Sequence, residues 1–293
     1  MSAAGPSSVG GPRSGHVDAH HHVWSLARGD YGWLTPDLAP IYRDFTLADI
    51  APLADAAGIT ASVLVQAAPT VAETRYLLDI ADVSGGRVGG VVGWVDLAAS
   101  DAVATLESFA SNRLFKSVRP MLQDLPEVDW ILRPEVQAAL SRLPALGIRF
   151  DALVKPAQLP ALLKMLERNP DLDVVIDHGA KPDIARGAWE PWASLLRAAA
   201  LHPRVHCKLS GVVTEAGSQW TVDTLRPYVD HLVECFGAHR MLWGSDWPVV
   251  ELGGGYARWR SATGFLLAPL DATERDAILG DNARRFYGLG WNN

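Results

Sequence analysis

Short apolar runs alternate with helix-periodic stretches along this chain, and that repeated beat constrains the fold more than any single motif. The runs are residues 16–22, 61–66, 88–96, 115–119, 149–154, 172–178, 204–210 and 240–246, and each has the length and apolar character of a strand. Between them, apolar residues recur at three- and four-residue spacing, predicting helices over about 47–57, 73–83, 136–143, 159–166, 192–199 and 222–236, with another starting at Asp101 behind Ser100. Thr46 and Asp49 form a capping-box pair in front of the first helix, Gly58 stops it, and a last helix from Thr273 to Tyr287 closes the chain. Strand–helix alternation builds a parallel sheet covered by helices. Eight such units predict an α/β fold, a closed (β/α)8 TIM barrel, because eight tilted strands leave an interior that side chains just fill. The rival, an open doubly wound sheet, carries a glycine-rich phosphate turn after its first strand, whereas here that strand ends in histidines.

A barrel also accommodates the length, since 293 residues exceed an ordinary domain but barrels of about 250 residues fold as one unit. One barrel domain is expected over residues 16–293. Residues 1–15, nearly all Gly, Ala, Ser, Pro and Val, are expected to form a flexible tail without the apolar core of a signal peptide. The net charge of -7, with no run of Lys or Arg, argues against a nucleic-acid partner. No apolar run approaches the roughly 20 residues that span a bilayer, so no membrane partner is expected either. Cys207 and Cys235 fit neither a disulfide framework nor a zinc knuckle, which points to buried thiols and a reducing cytoplasm. Whether the chain forms a homo-oligomer stays open.

Function is written at the strand ends. The eight runs end in or carry, in order, His20 to His22, Gln66, Trp94 with Asp96, Arg119, Asp151, Asp177 with His178, Lys208 with Ser210, and Asp246. In a barrel these positions converge on one rim, where barrel enzymes keep their active sites. Alternation along a strand sends His20 and His22 to the same side, so both imidazoles can grip one metal ion or one substrate oxygen. With His178 and Asp246 they make an N3O donor set suited to a single divalent cation, zinc first. The plainer alternatives are a solvated histidine cluster, a strand-end histidine bonded to a carbonyl, and a turn-capping aspartate before Pro248. Arg119 and Lys208 are cations on mostly apolar strands, where they either pair with Asp96, Asp151 or Asp246 or orient substrate and stabilise an oxyanion. Gln66, Asp151, Trp94 and Trp247 are further candidates for contact with substrate. Tyr42 and Trp33 are possible members of a sugar-binding wall, and Lys181 reads as a surface residue.

The strings VDAHHHVW (17–24), VLVQA (63–67), VVGWVDL (91–97), IDHGAKP (176–182), CKLSG (207–211), GSDWPV (244–249) and ILGDNARRFYGL (278–289) resemble the amidohydrolase-2 group of the amidohydrolase superfamily. Within it the chain is most similar to sugar-lactone hydrolases of the L-fuconolactonase and L-rhamnono-lactonase type, over about residues 16–289. Related members open pyrone-dicarboxylate lactones or decarboxylate aromatic acids. The resemblance implies that His20, His22, His178 and Asp246 line the catalytic centre. The chain departs from the metal-rich pattern of the superfamily: strand five offers Asp151, and strand seven offers Lys208 with His206. One divalent ion is therefore expected rather than two, and catalysis without a metal stays open. The expected chemistry is water attack on a lactone carbonyl, with Asp246 as base, His178 and Lys208 as partners in catalysis, and Arg119 steadying the anion. A metal-dependent aromatic-acid decarboxylase and a non-catalytic sugar-acid binder are the alternatives.

Overall fold

Each apolar run forms a parallel strand in a computed structural model of the chain, which describes residues 15–290. The flexible tail expected at the N-terminus lies, apart from Gly15, outside the described residues. The strands are β1 (His16–His21), β2 (Ile59–Val65), β3 (Val88–Gly93), β4 (Phe115–Val118), β5 (Arg149–Ala152), β6 (Val174–Ile176), β7 (Val205–Leu209) and β8 (Met241–Trp243). They pair in chain order in one sheet, every pair parallel. At the seam the backbone N–H of His22 donates to the Trp247 carbonyl at 2.7 Å and that of Asp246 to the His20 carbonyl at 2.8 Å, so the barrel is nearly closed. The principal covering helices are α1 (Leu47–Ala56), α2 (Val71–Asp82), α3 (Ala102–Ala110), α4 (Pro134–Leu140), α5 (Leu143–Leu146), α6 (Leu159–Arg168), α7 (Trp192–Ala200), α8 (Val212–Glu215) and α9 (Val222–Phe236). After β8 come α10 (Tyr256–Leu266), α11 (Ala272–Asp276) and α12 (Asn282–Tyr287). Among the described residues, no helix is long and apolar enough to cross a membrane.

Two elements differ from those expected. Strand three stops at Gly93 rather than reaching Asp96, because Thr74 of α2 captures the next residue: its hydroxyl accepts from the Trp94 N–H at 2.7 Å and donates to the Trp94 carbonyl at 2.8 Å. Helix α10 is not among the helices expected, although its buried stripe of Tyr256, Trp259, Ala262, Thr263 and Leu266 keeps helical spacing. It packs on β8, with the Trp259 indole donating to the Gly244 carbonyl at 3.0 Å and the Trp243 indole to the Thr263 hydroxyl at 3.0 Å.

One end of the barrel is stoppered. Val17, Ala19, Val63, Val92, Val175 and Leu242, from strands on opposite sides, meet in one buried cluster with Phe286, Tyr287 and Leu289. The run ILGDNARRFYGL therefore serves the fold: Asn282 donates to the carbonyls of Ala238 and Met241, both at 2.7 Å, and the Tyr287 hydroxyl donates to Asp151 at 2.7 Å. The terminal helix expected from Thr273 to Tyr287 runs unbroken from Ala272 and widens to a π-helical turn at Ala277–Asp281, where Gly280 lies against the start of β1; a Cβ there would sit 3.3 Å from the Gly15 carbonyl oxygen.

The opposite end stays open, and Glu73 shapes part of it. Its carboxylate accepts the Ala67 N–H at 3.0 Å and also that of Ala68, fixing the loop after β2. Burial raises the Glu73 carboxyl to about 7, against the backbone donors that favour its charged form. Its folded value lies above the unfolded one, so its contribution to stability is fully present below the ordinary value of 4.5 and is lost as pH rises through about 7. Stability should fall through this window by on the order of 3 kcal/mol from this group. Urea unfolding of wild type and Glu73→Gln at about pH 5 and about pH 8 should show the slope reduced in the variant.

Candidate active site

Plain alternation along β1 would turn His20 away from the interior that Val17 and Ala19 face. A register shift between Asp18 and His21 brings it back. Asp18 secures the irregularity, its Oδ1 accepting the backbone N–H of His20 at 3.2 Å and of Ser245 at 2.8 Å. His21 turns outward to the Ser62 hydroxyl at 2.9 Å, while His20 and His22 both approach Asp246. His178 and Asp246 sit just past the ends of β6 and β8, at φ values of 54° and 58°. A non-glycine residue in this left-handed region costs roughly 1–2 kcal/mol, which the surrounding packing must offset.

These turns bring four side chains to one point. The Nε2 atoms of His20, His22 and His178 lie 3.6, 3.4 and 3.8 Å from Oδ1 of Asp246. Bonds of about 2.0–2.1 Å in a tetrahedron set zinc ligands about 3.3 Å apart, close to this spacing. The far side of each ring is held as well. His22 Nδ1 is 2.8 Å from the Val65 carbonyl, which can only accept, so Nδ1 carries a proton. His178 Nδ1 meets the Ser210 hydroxyl at 2.8 Å, and the buried His20 Nε2 has no hydrogen-bond partner among the described residues. His20, His22 and Asp246 lie close enough together to share one divalent ion, while His178, 3.8 Å from Asp246, also groups with His20 and Asp177 as a second candidate set.

The electrostatics agree. Burial, reinforced by the Lys208 charge, holds His20 well below the usual imidazole range, and burial brings His178 down to about 4, so both rings are neutral near pH 7. Burial pushes the Asp246 carboxyl up, but His178, a hydrogen bond from His22 and the other imidazoles outweigh it and hold the group well below the usual carboxylate range.

Beneath the histidines lies a charged floor. Lys208 Nζ is 2.5 Å from Asp151, 3.0 Å from Asp177 and 3.1 Å from His20 Nδ1, and Lys208, Asp151 and Asp177 are all completely buried. Arg119 pairs with the other Asp177 oxygen at 3.3 Å and donates to the Gln66 carbonyl. Above them opens a cavity of about 330 Å³, whose walls include His22, His178, Asp246, Arg119, Lys181 and Trp33. The sequence candidates thus separate. His20, His22, His178 and Asp246 converge, and Arg119 reaches the cavity. Lys208 and Asp151 sit below the cavity rather than on its wall. Gln66 is buried behind Arg119, its Nε2 donating to the Arg119 carbonyl at 2.8 Å. Trp94 lines a neighbouring chamber. Trp247 is buried edge-on against Phe45, ring centres 5.1 Å apart, and helps close the barrel seam. Lys181 is a wall residue, paired with Glu215 at 3.3 Å, and not merely a surface charge. The bracing role of Asp177 went unassigned from sequence; its position immediately before His178 is the signal that could have flagged it.

A barrel that gathers three imidazoles and a carboxylate at its strand ends places them where barrel enzymes carry out their chemistry. The chain belongs to the amidohydrolase family, whose model matches residues 17–289. It is 45% identical over 280 residues to an L-fucono-1,5-lactonase of Burkholderia ambifaria, covering 93% of this chain and 95% of the relative. An L-fucono-1,5-lactonase of Burkholderia multivorans is 32% identical, with 93% of this chain and 96% of that protein covered. Among solved structures, a Burkholderia multivorans amidohydrolase with bound zinc superposes with a TM-score of 0.88 at 32% identity, covering 94% of this chain and 99% of the other.

Two glycines leave room for the histidines. A Cβ on Gly244 would lie 2.7 Å from His20 Cβ, and one on Gly211 would lie 2.5 Å from His178 Nδ1. Gly244→Ala should therefore displace His20 at a stability cost of about 1–3 kcal/mol, read by thermal unfolding against wild type.

Proposed function

We propose that this enzyme opens a sugar-derived lactone, an aldonolactone of the L-fucono or L-rhamnono type, by water attack on the ester carbonyl. The observation that carries the proposal is the Asp246 carboxylate ringed by three imidazole nitrogens at 3.4–3.8 Å on the floor of a cavity walled by Arg119 and Lys181. The lactonase names of the two Burkholderia relatives point the same way.

His20, His22, His178 and Asp246 would hold one divalent ion, zinc by preference. Such an ion supplies Lewis-acid polarisation and lowers the pKa of water. Asp246, ionised near neutral pH, takes the proton from the attacking water and returns it to the departing ring oxygen. Arg119 is braced by Asp177 and the Gln66 carbonyl, so its charge faces the cavity without reorganisation and steadies the developing oxyanion. Lys208 and Asp151 act from below, holding His20 and Asp177 in place rather than touching substrate. Trp33 gives the sugar ring an apolar wall. This role calls for a small-molecule partner alone, in the cytoplasm, with neither nucleic acid nor membrane.

A pH-indicator assay over a panel of aldonolactones, with aromatic acids as controls, tests the proposal. Turnover of at least one aldonolactone is expected, lost after chelation and restored by zinc. Asp246→Asn should lower kcat by about 10²–10⁴-fold while the circular dichroism spectrum stays unchanged. Full activity in that variant would remove Asp246 from its role. Carbon dioxide release from an aromatic acid, without lactone turnover, would replace the proposal by the decarboxylase.

A further inference from the structure

The catalytic cavity has a larger neighbour. A chamber of about 520 Å³ shares Trp33, Met121 and Asp124 with it, so the two adjoin along that wall. We propose that this chamber is a second sugar subsite, which takes a neutral glycosyl unit attached to the lactone and extends the substrate range to glycosylated aldonolactones. This inference rests on the lactonase reading of the catalytic cavity.

Three tryptophans line the chamber: Trp33, Trp94 and Trp130. Each is partly accessible, unlike the fully buried Trp24, Trp243 and Trp259. Two of the indoles are anchored. Trp33 donates its ring N–H to the Ala67 carbonyl at 2.7 Å, and the backbone of Trp94 is held on both sides by the Thr74 hydroxyl. The ring N–H groups of Trp94 and Trp130 have no hydrogen-bond partner among the described residues. Rigid aromatic faces with free polar edges suit a pyranose, whose C–H faces lie flat on indoles while its hydroxyls bond at the rim.

The polar lining fits the same ligand. Asp30, Asp96 and Asp124 supply acceptors, and no lysine or arginine lines the chamber. Asp30 Oδ2 is already engaged by Arg28 at 2.7 Å and by the Thr70 hydroxyl at 3.0 Å, whereas its buried Oδ1 has no hydrogen-bond partner. Sugar hydroxyls can donate to the exposed Asp96 and Asp124, whereas an anionic group would meet three carboxylates. A quaternary ammonium is the other chemistry that aromatic walls and carboxylates attract. The pairing of Asp30 with Arg28 and the adjacency to a lactone-binding cavity favour the neutral sugar.

The test compares matched ligands on the full-length protein. Tryptophan fluorescence titrations with lactobionic acid, gluconic acid and choline read binding without requiring turnover, and initial rates compare lactobionolactone with gluconolactone. Lactobionic acid should bind about tenfold more tightly than gluconic acid, the size of one aromatic stacking contact. Trp130→Ala should erase that difference and raise KM for lactobionolactone about tenfold, leaving kcat/KM for gluconolactone unchanged. Asp96→Ala, at an exposed position where folding is not at stake, should lower the lactobionate preference in the same direction. Equal binding of the two acids, tighter binding of choline, or a Trp130→Ala effect of equal size on both lactones would overturn the subsite. Absence of lactone turnover would overturn the lactonase proposal instead, and the titrations would still decide whether the chamber binds sugar.

Discussion

A buried ammonium underlies the open end of this barrel. Lys208 lies between Asp151 and Asp177 with no exposed surface, and the same nitrogen touches His20. Ions taken out of water are costly unless geometry and charge are both complete. Here two carboxylates face two cations, Lys208 and Arg119, and the remaining Asp151 positions are filled by the hydroxyls of Ser117 at 2.5 Å and Tyr287 at 2.7 Å. Tyr287 comes from the stoppering helix, so the closed end of the barrel is tied through Asp151 and Lys208 to the first histidine of the site.

On this floor the site is built with strain. Asp246 and His178 take left-handed backbone conformations, β1 is bulged at Asp18, and glycines at 211 and 244 clear space for imidazoles. Each of these features re-aims a side chain at the open end, and the packed interior at the stoppered end helps to offset the cost. The neutral rings of His20 and His178 follow from the same burial, since water that would solvate charged imidazoles is excluded.

The strand beat and the pairing of His20 with His22 were legible in the sequence, because strand and helix periods are local properties of the chain. So was the convergence of polar strand ends, since a parallel barrel sends every strand the same way. Helix α10 was legible in principle, since Tyr256, Trp259, Thr263 and Leu266 keep helical spacing, but the hydroxyl of Thr263 and the charged residues between them weaken its apolar signal. The bulge at Asp18 was not legible: it depends on Ser245, 227 residues away.

Depth was the other hidden quantity. Alternation says that Asp151, Lys208 and Arg119 lie on polar positions of their strands, but only barrel tilt and stagger put Lys208 and Asp151 under the histidines and bring Arg119 up to the cavity. Likewise a tryptophan beside an aspartate looks like a substrate wall in one dimension. The packed barrel spends Trp247 on the seam and turns Trp94 toward a second chamber. The sequence by itself determined the barrel, the order of its strands and the residue types gathered at its open end, because these follow from short-range periodicity. Tertiary structure decided which of those residues face a ligand and which brace the ones that do, because burial and charge compensation are set by groups distant in the chain.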